Sequence, residues 1–176
     1  MQHLQFQAFA DYNRRMNQKL YRAAGSLNPE DRVRDCKAFF GSVQATLQHI
    51  MVADLIWLRR FQSIPALSKV LSSITQYPDI ESLDQTLYPD FSELTAVRER
   101  LDQLIIEFGQ TLSPELVEST FRYKNMAGVE FENVFWVYVA HFFNHQTHHR
   151  GQATTLLTQM GVDVGVTDFP HVIKER

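Results

Sequence analysis

The amino-acid sequence predicts an all-α protein: an antiparallel four-helix bundle with one long crossover connection and a small β-hairpin. Three observations predict this class. Apolar residues recur every three or four positions over four long segments, a proline-containing stretch separates the second segment from the third, and aromatic and polar residues alternate around a turn before the fourth. The length of 176 residues fits a single domain over residues 1–176.

The first two helices are predicted from their end signals as well as from their periodicity. Gly25 ends the first helix, and Asn28 is the predicted N-cap of the second, with Pro29 at its first position. By period the second helix is about 30 residues long, with Gly41 as its one weak point and Phe39 in its apolar stripe. The apolar face of the first helix consists of Phe6, Phe9, Met16, Leu20 and Ala23.

The connection, the third helix and the hairpin follow from similar signals. Residues 63–89 contain three prolines and several serines, which predicts a long connection with short helical pieces. The third helix, Ser92 to Gly109, has the clearest amphipathic pattern, and Asp90 with Glu93 fits a capping box at its start. Alternating residues on both sides of Asn125–Gly128 predict a β-hairpin.

Composition excludes several classes of partner. A net charge of −3 and a pI near 6.1 provide no basic surface for nucleic acid. No apolar run approaches the length of a membrane span, and the first residues lack the apolar core of a signal peptide. Cys36 is the only cysteine, so no internal disulfide can form, and a reducing compartment fits. We expect a soluble, cytoplasmic protein with neither a nucleic-acid nor a membrane partner.

The fourth helix, predicted from about Glu132 to Met160, is rich in histidine: its segment HFFNHQTHHRGQ holds four of the seven in the chain. At about 100° per residue, His145 and His149 point into the apolar stripe of this helix, while His141 and His148 lie at its margin. Two imidazoles four residues apart on a helix are close enough to bind one cation. If both rings were buried without hydrogen-bond partners, their unsatisfied nitrogens would cost a few kcal/mol of stability. An HxxxH metal clamp is one interpretation, and hydrogen-bonded core histidines are the other.

Two HxxxH pairs overlap in this segment, because His141 stands four residues before His145. We favour His145 with His149, since His149 lies deeper in the stripe. His148 is then a surface residue or a neighbour of a ligand. Gln152, one turn beyond the pair on the same side, could contact a metal-bound water.

A third ligand is available on the second helix. His49 has small residues on its own side of that helix, which leave room beside its ring. Asp54 falls within the apolar stripe, where a carboxylate needs a strong partner. Two partners are equally plausible: the N–H of a metal-ligating imidazole, or an arginine such as Arg59, Arg60 or Arg150.

Further polar residues face the predicted interior. Tyr12, Asn13 and Asn17 on the first helix could line a pocket or form ordinary hydrogen bonds between helices. Arg150 could fix its helix through a carboxylate. Gly151 predicts the close approach of another backbone.

Three segments carry a resemblance to a known family. YNRRMNQKLYRA, HIMVADLIWLRRF and HFFNHQTHHRGQATTLLTQMG resemble, in this order, the DinB family of the DinB/YfiT-like superfamily of metalloenzymes. The resemblance spans nearly the whole chain, and the run NHxxHHRGQ is specific to it. It implies an antiparallel four-helix bundle, commonly dimeric, in which three histidines hold a divalent metal. The matching positions are His49, His145 and His149.

The resemblance also bounds the function. Relatives in the superfamily include isomerases and transferases that use mycothiol, bacillithiol or glutathione, but no single reaction follows for the DinB branch. Our first hypothesis is an enzyme, an S-transferase or a hydrolase, whose metal activates a small thiol or water for attack on a small-molecule substrate. Imidazole ligands suit zinc, nickel and iron; we expect zinc or nickel, with iron or manganese as further candidates. Three protein ligands leave one coordination position open. The alternative is a non-catalytic metal-binding or ligand-sensing bundle.

Two aromatic residues bear on assembly. Trp136 and Phe143 fall outside the core stripe of the fourth helix, so either the hairpin or a second subunit should cover them. The dimers of the related family favour a homodimer. The long connection 63–89 could act as a lid over the site.

Overall fold

A computed structural model describes residues 2–173, with side chains from Leu4 onward. This part of the chain is mostly helical and contains one antiparallel two-stranded sheet, so the predicted class and the predicted hairpin are confirmed. The helices are α1 (Gln2–Gly25), α2 (Pro29–Val33), α3 (Val43–Gln62), α4 (Pro65–Ser68), α5 (Phe91–Thr111), α6 (Pro114–Val117), α7 (Phe135–Gln159) and α8 (Phe169–Ile173), with a 3-10 helix at Ser72–Gln76. The strands are β1 (Thr120–Lys124) and β2 (Glu130–Val134). No described helix is both long and apolar enough to cross a membrane.

The four long helices pack around one apolar core, but not all neighbours are antiparallel. Helices α1 and α5 run antiparallel, as do α3 and α7, whereas α1 and α7 run parallel, as do α3 and α5. A crossover that spans the length of the molecule joins α3 to α5 and makes them parallel. The contacts that set these directions are Gly25–Phe91, Gly109–Ala10, His49–His149, Phe61–Phe135, Phe6–Phe143, Asn13–Arg150, Asp54–Arg98 and Phe61–Phe108.

The prediction of one continuous second helix is wrong, because the chain forms two helices there, α2 and α3. Asn28 caps α2 as predicted, with its side chain accepting from the N–H of Asp31. The chain then leaves the helix: Lys37 and Gly41 have φ values of 57° and 78°, and the Asp35 carboxylate accepts from the N–H of Lys37. Such local side-chain hydrogen bonds replace helical ones and end the helix.

This break changes which aromatic residue is buried. Phe39, predicted in the apolar stripe, is 87% exposed. Its neighbour Phe40 turns inward instead and stacks on His49. Ser42 then starts α3 as an N-cap, accepting from the N–H of Ala45.

The other boundaries lie close to their predicted positions. Gly25 ends α1, Asp90 caps α5 by accepting from the N–H of Glu93, and the connection contains short helical pieces. The last long helix begins at Phe135 rather than Glu132, because residues 130–134 pair with β1. Gly161, with a φ of 77°, follows its end as predicted.

A buried polar cluster crosses the core between α1, α3, α5 and α7. Arg98 lies 2.6 Å from a carboxylate oxygen of Asp54 and 2.8 Å from one of Asp102. Asn17 donates to Asp102, and Gln146 donates to Asp54. The three charged side chains are all at most 2% exposed, so the cluster places ionic groups in the interior.

Candidate metal centre

Helices α3 and α7 bring three imidazoles to one point. The Nε2 atom of His49 lies 3.3 Å from that of His145 and 3.2 Å from that of His149, and the last two are 3.1 Å apart. His145 and His149 are neighbours because four residues make about one helical turn. His49 meets them because α3 packs beside α7. These are the three histidines that the sequence selected, and they form a group with metal-ligand spacing.

The hydrogen bonds of the rings show which nitrogens are free. His49 Nδ1 lies 2.8 Å from the carbonyl oxygen of Leu83, and His149 Nδ1 lies 2.8 Å from Oε1 of Gln152. Carbonyl oxygens only accept, so both Nδ1 atoms donate, and a neutral ring has no second N–H. The Nε2 atoms of His49 and His149 therefore carry lone pairs that face each other. A cation between these two atoms would stabilise the arrangement.

The spacing fits a metal ion. With metal–nitrogen bonds of about 2.0–2.1 Å, ligand nitrogens lie roughly 3.0 Å apart at octahedral angles and roughly 3.4 Å apart at tetrahedral angles. The observed separations of 3.1–3.3 Å fall between these values. Outward N–H groups bound to oxygen acceptors are also the usual arrangement for histidine ligands. The residues present therefore fit a divalent metal.

The protonation state of the rings agrees with this role. Burial, together with the charge repulsion of the neighbouring imidazoles, lowers the pKa of His145 to about 3. Burial also lowers the pKa of His49 and of His149. All three rings are therefore neutral at pH 7, as metal ligands must be.

The depressed histidine pKa values predict a pH-dependent stability for the metal-free protein. Between about pH 6.5 and pH 3, His145 binds a proton in the unfolded chain but not in the folded one. The unfolded state therefore binds more protons, so stability is full above pH 6.5 and is lost as the pH falls. Urea unfolding in excess chelator at several pH values measures this. His145→Leu should show a shallower loss, and an unchanged slope would contradict the assignment.

Two residues that the sequence did not assign to the site complete it. The Phe40 ring stacks on His49 with centroids 3.8 Å apart and meets His149 edge-on at 5.5 Å. Leu83, whose carbonyl binds His49, comes from the long connection. Sequence reasoning missed both residues. Gly41 was the only nearby signal that the chain could turn, and nothing in the sequence marked Leu83.

The histidine cluster opens onto a cavity of about 380 Å³. His49 and His145 contribute to its wall, while Phe40 covers the cluster from another direction. Asn125, Arg60 and His141 give the cavity polar groups. Its other lining residues are Ala53, Ile56, Trp57, Leu83, Met126 and Ala127.

The remaining predicted histidines and Gln152 lie close to the cluster. His141 packs against Trp57, with ring centroids 5.0 Å apart, and lines the cavity without joining the three converging nitrogens. His148 is exposed, and its Nε2 lies 3.2 Å from Nε2 of Gln152. Gln152 holds the ring of His149.

Asp54 pairs with an arginine, the second of the two predicted kinds of partner, but the arginine is Arg98 and not one of the three named. Its carboxylate accepts from Arg98 at 2.6 Å and from Gln146 at 2.7 Å, and no described imidazole donates to it. The predicted arginines do not pair with it; Arg59, for example, donates to backbone carbonyls of the long connection. The partner was missed because it lies on α5, which periodicity along α3 cannot reveal.

The polar residues of α1 do not line the histidine cavity. Tyr12 donates to the carbonyl of Thr167 at 2.7 Å and borders a separate cavity of about 320 Å³. Asn13 accepts from Arg150, and Asn17 donates to Asp102. Tyr12, Asn13 and Asn17 therefore form hydrogen bonds to other parts of the chain, which was the alternative to lining the pocket.

Two expectations for the end of the histidine segment are wrong. Arg150 donates to Asn13 and Thr147 and pairs with no carboxylate among the described residues. Gly151 is exposed, and nothing lies within 4 Å of the position that a Cβ would take. The glycine therefore does not mark a close backbone approach.

Comparison with known proteins agrees with the resemblance drawn from the three segments. The profile of the DinB family matches residues 1–176. The chain belongs to the DinB family. A relative called Protein DinB, from Bacillus subtilis (strain 168), is 26% identical over 159 residues, which cover 90% of this chain and 88% of the relative. No solved structure shows significant similarity to this DinB-family chain.

Proposed function

We propose that this DinB-family chain is a metal-dependent enzyme in which His49, His145 and His149 hold one divalent ion. The observation that carries the proposal is the convergence of three Nε2 atoms within 3.3 Å of one another, with two of the rings donating outward from Nδ1. Zinc or nickel is the proposed ion, with iron or manganese as the alternatives. Three protein ligands are typical of catalytic rather than structural zinc sites.

Other residues of the chain orient the histidine rings and shield them from water. The Leu83 carbonyl and the Gln152 amide fix the orientation of two rings, and Phe40 keeps water from one side. A divalent metal held here supplies a Lewis acid that favours the deprotonated form of a bound thiol or water. The cavity beside His49 and His145 gives a small substrate access to that position.

The open cavity favours the enzyme over the non-catalytic alternative. A metal that only organises helices, or a sensor metal that contacts no ligand, needs no access from a cavity that carries polar groups. The cavity here has about 380 Å³ and includes a guanidinium and a third imidazole. Thiol transfer is the favoured chemistry, and hydrolysis by activated water is the second.

Cobalt substitution tests the proposed chemistry. Protein purified without a histidine tag should contain about one divalent ion per chain by elemental analysis. After replacement of that ion by cobalt, a small thiol such as 2-mercaptoethanol should produce a sulfur-to-metal charge-transfer band, whereas ethylene glycol, its oxygen analogue, should not. A spectrum that glutathione, bacillithiol, mycothiol and simple thiols all leave unchanged would overturn thiol activation.

We propose further that the four long helices form a four-helix bundle, one domain that assembles as a homodimer in the cytoplasm. Phe143 does not support the dimer, because Phe6 and Phe9 of α1 cover it and leave it 5% exposed. Trp136 supports it, since 39% of this residue is exposed. Sedimentation at micromolar concentration should give the mass of two chains, with Trp136→Asp shifting the equilibrium to monomer. A monomer at every concentration would contradict assembly.

A further inference from the structure

Arg60 is a partly buried cation without an acidic partner in the part of the chain that the structure describes. Its guanidinium lies over the ring of Trp57 at 4.7 Å and over the ring of Tyr123 at 4.5 Å. Among residues 2–173, Arg60 forms no ion pair, although Arg59 beside it reaches Asp79. Burial lowers the pKa of Arg60, with only the Tyr123 phenol opposing this effect, yet a guanidinium remains charged at neutral pH.

The charge of Arg60 is directed at the histidine cavity. Arg60 lines the same cavity as His49 and His145, and its charge contributes to the lowered pKa of His141. His141 lies between these groups, with its ring centroid 5.0 Å from Trp57 and 5.9 Å from His145. The imidazoles and the guanidinium therefore belong to one continuous site.

The cavity is long and has apolar walls. Arg60 follows His49 by eleven residues on α3, or three helical turns, and arginine side chains lean back toward the start of their helix. The guanidinium and the histidine cluster are thus on the order of 10 Å apart. Ile56, Leu83 and Met126 supply apolar surface in the cavity, and none of its lining residues is acidic.

We propose that Arg60 binds the anionic end, a carboxylate, of an elongated substrate whose reacting end lies at the three histidines. This inference rests on the proposed function and names the substrate class for the same site. A guanidinium presents a planar fork of N–H donors that matches a carboxylate. Stacking on Trp57 and Tyr123 holds that fork in place before the ligand arrives, which reduces the entropy lost on binding.

A purely structural role is the competing explanation. Arg60 on α3 contacts Tyr123 of β1, so its cation–π contacts help to hold the hairpin against α3. Such a role would affect stability and the affinity for every ligand, but it would not distinguish an acid from an alcohol of the same length. The ratio of the two affinities therefore separates the explanations.

The experiment uses the full-length, cobalt-loaded protein and two matched thiols, 6-mercaptohexanoate and 6-mercaptohexanol, titrated by cobalt absorbance. The wild-type protein should bind the acid about tenfold more tightly, as expected for one charge-assisted contact. Arg60→Met, which keeps an unbranched side chain but loses the charge, should largely abolish this preference. Arg100→Met is the matched control, because it removes an exposed arginine on α5 that lies outside the cavity.

Equal affinities in the wild type, or a preference that survives in Arg60→Met, would overturn the inference while leaving the metal site intact. If the cobalt spectrum responds to neither thiol, the proposed thiol chemistry fails, and a second measurement decides the role of Arg60. In a Trp136→Phe background Trp57 is the only tryptophan, so its fluorescence reports on the cavity. Hexanoate should change this signal more than hexanol does. A response that is the same in Arg60→Met would overturn the inference.

Discussion

Replacing His49, His145 or His149 by alanine should abolish the proposed binding of a divalent metal. Each change leaves two of the three converging nitrogens, which lie 3.1–3.3 Å apart in the intact cluster. The loss in affinity should exceed the roughly 10- to 100-fold effect of removing a group that merely orients a ligand. Elemental analysis and competition with a chelator of known affinity measure it.

Neighbouring residues provide the controls for this experiment. His148→Ala removes an exposed histidine one position before a ligand and should leave metal content unchanged. His141→Ala alters the cavity wall without touching the cluster and should also retain the metal. Gln152→Ala should lower the affinity within that roughly 10- to 100-fold range, because it releases the ring of His149. Full metal content in His49→Ala would refute the three-histidine site.

Arg98→Met should cost about 3–5 kcal/mol of stability, the typical effect of removing one partner from a buried ionic group. The substitution keeps most of the side-chain volume but leaves Asp54 and Asp102 buried without their cation. Burial already raises the pKa of both carboxyls, and the Arg98 charge is the largest effect opposing that rise. Since whole domains are stable by about 5–15 kcal/mol, the variant should be close to unfolding.

Urea unfolding at pH 7 measures this effect, and the same helix supplies the control. Arg100→Met removes an exposed arginine two residues further along α5 and should change stability by no more than about 0.5 kcal/mol. Gln146→Leu should have an intermediate effect, because Asp54 would keep Arg98 but lose one donor. A loss below about 1 kcal/mol in Arg98→Met would show that the cluster contributes little to the fold.

Local chemistry made several elements predictable from the sequence. The caps Asn28 and Asp90 and the terminal glycines Gly25 and Gly161 act on their own helices, so their effect is visible within a few residues. The four-residue spacing of two histidines likewise fixes their proximity on one helix, wherever that helix packs. The third histidine, His49, was indicated by the family resemblance and by the space beside its ring. The structure brings all three together.

Other features depend on which elements pack against each other, and the tertiary structure alone decides them. Periodicity along α3 showed that Asp54 is buried, but its partner Arg98 lies 44 residues away on a helix that the crossover makes parallel. Leu83 reaches His49 because the connection folds back over α3, where Gln48 also donates to the carbonyl of Tyr88.

The break between α2 and α3 shows the same limit for backbone conformation. Residues 34–42 have apolar periodicity compatible with a helix, yet the chain turns there, and Phe40 packs on two imidazoles of the site. A helical pattern reports the average burial of a face, whereas this turn depends on a few hydrogen bonds and on contacts with α3 and α7. The sequence therefore determined most of the helix ends and singled out the three histidines that converge. The tertiary structure decided what surrounds them, because contacts between distant segments leave no periodic signal in either segment.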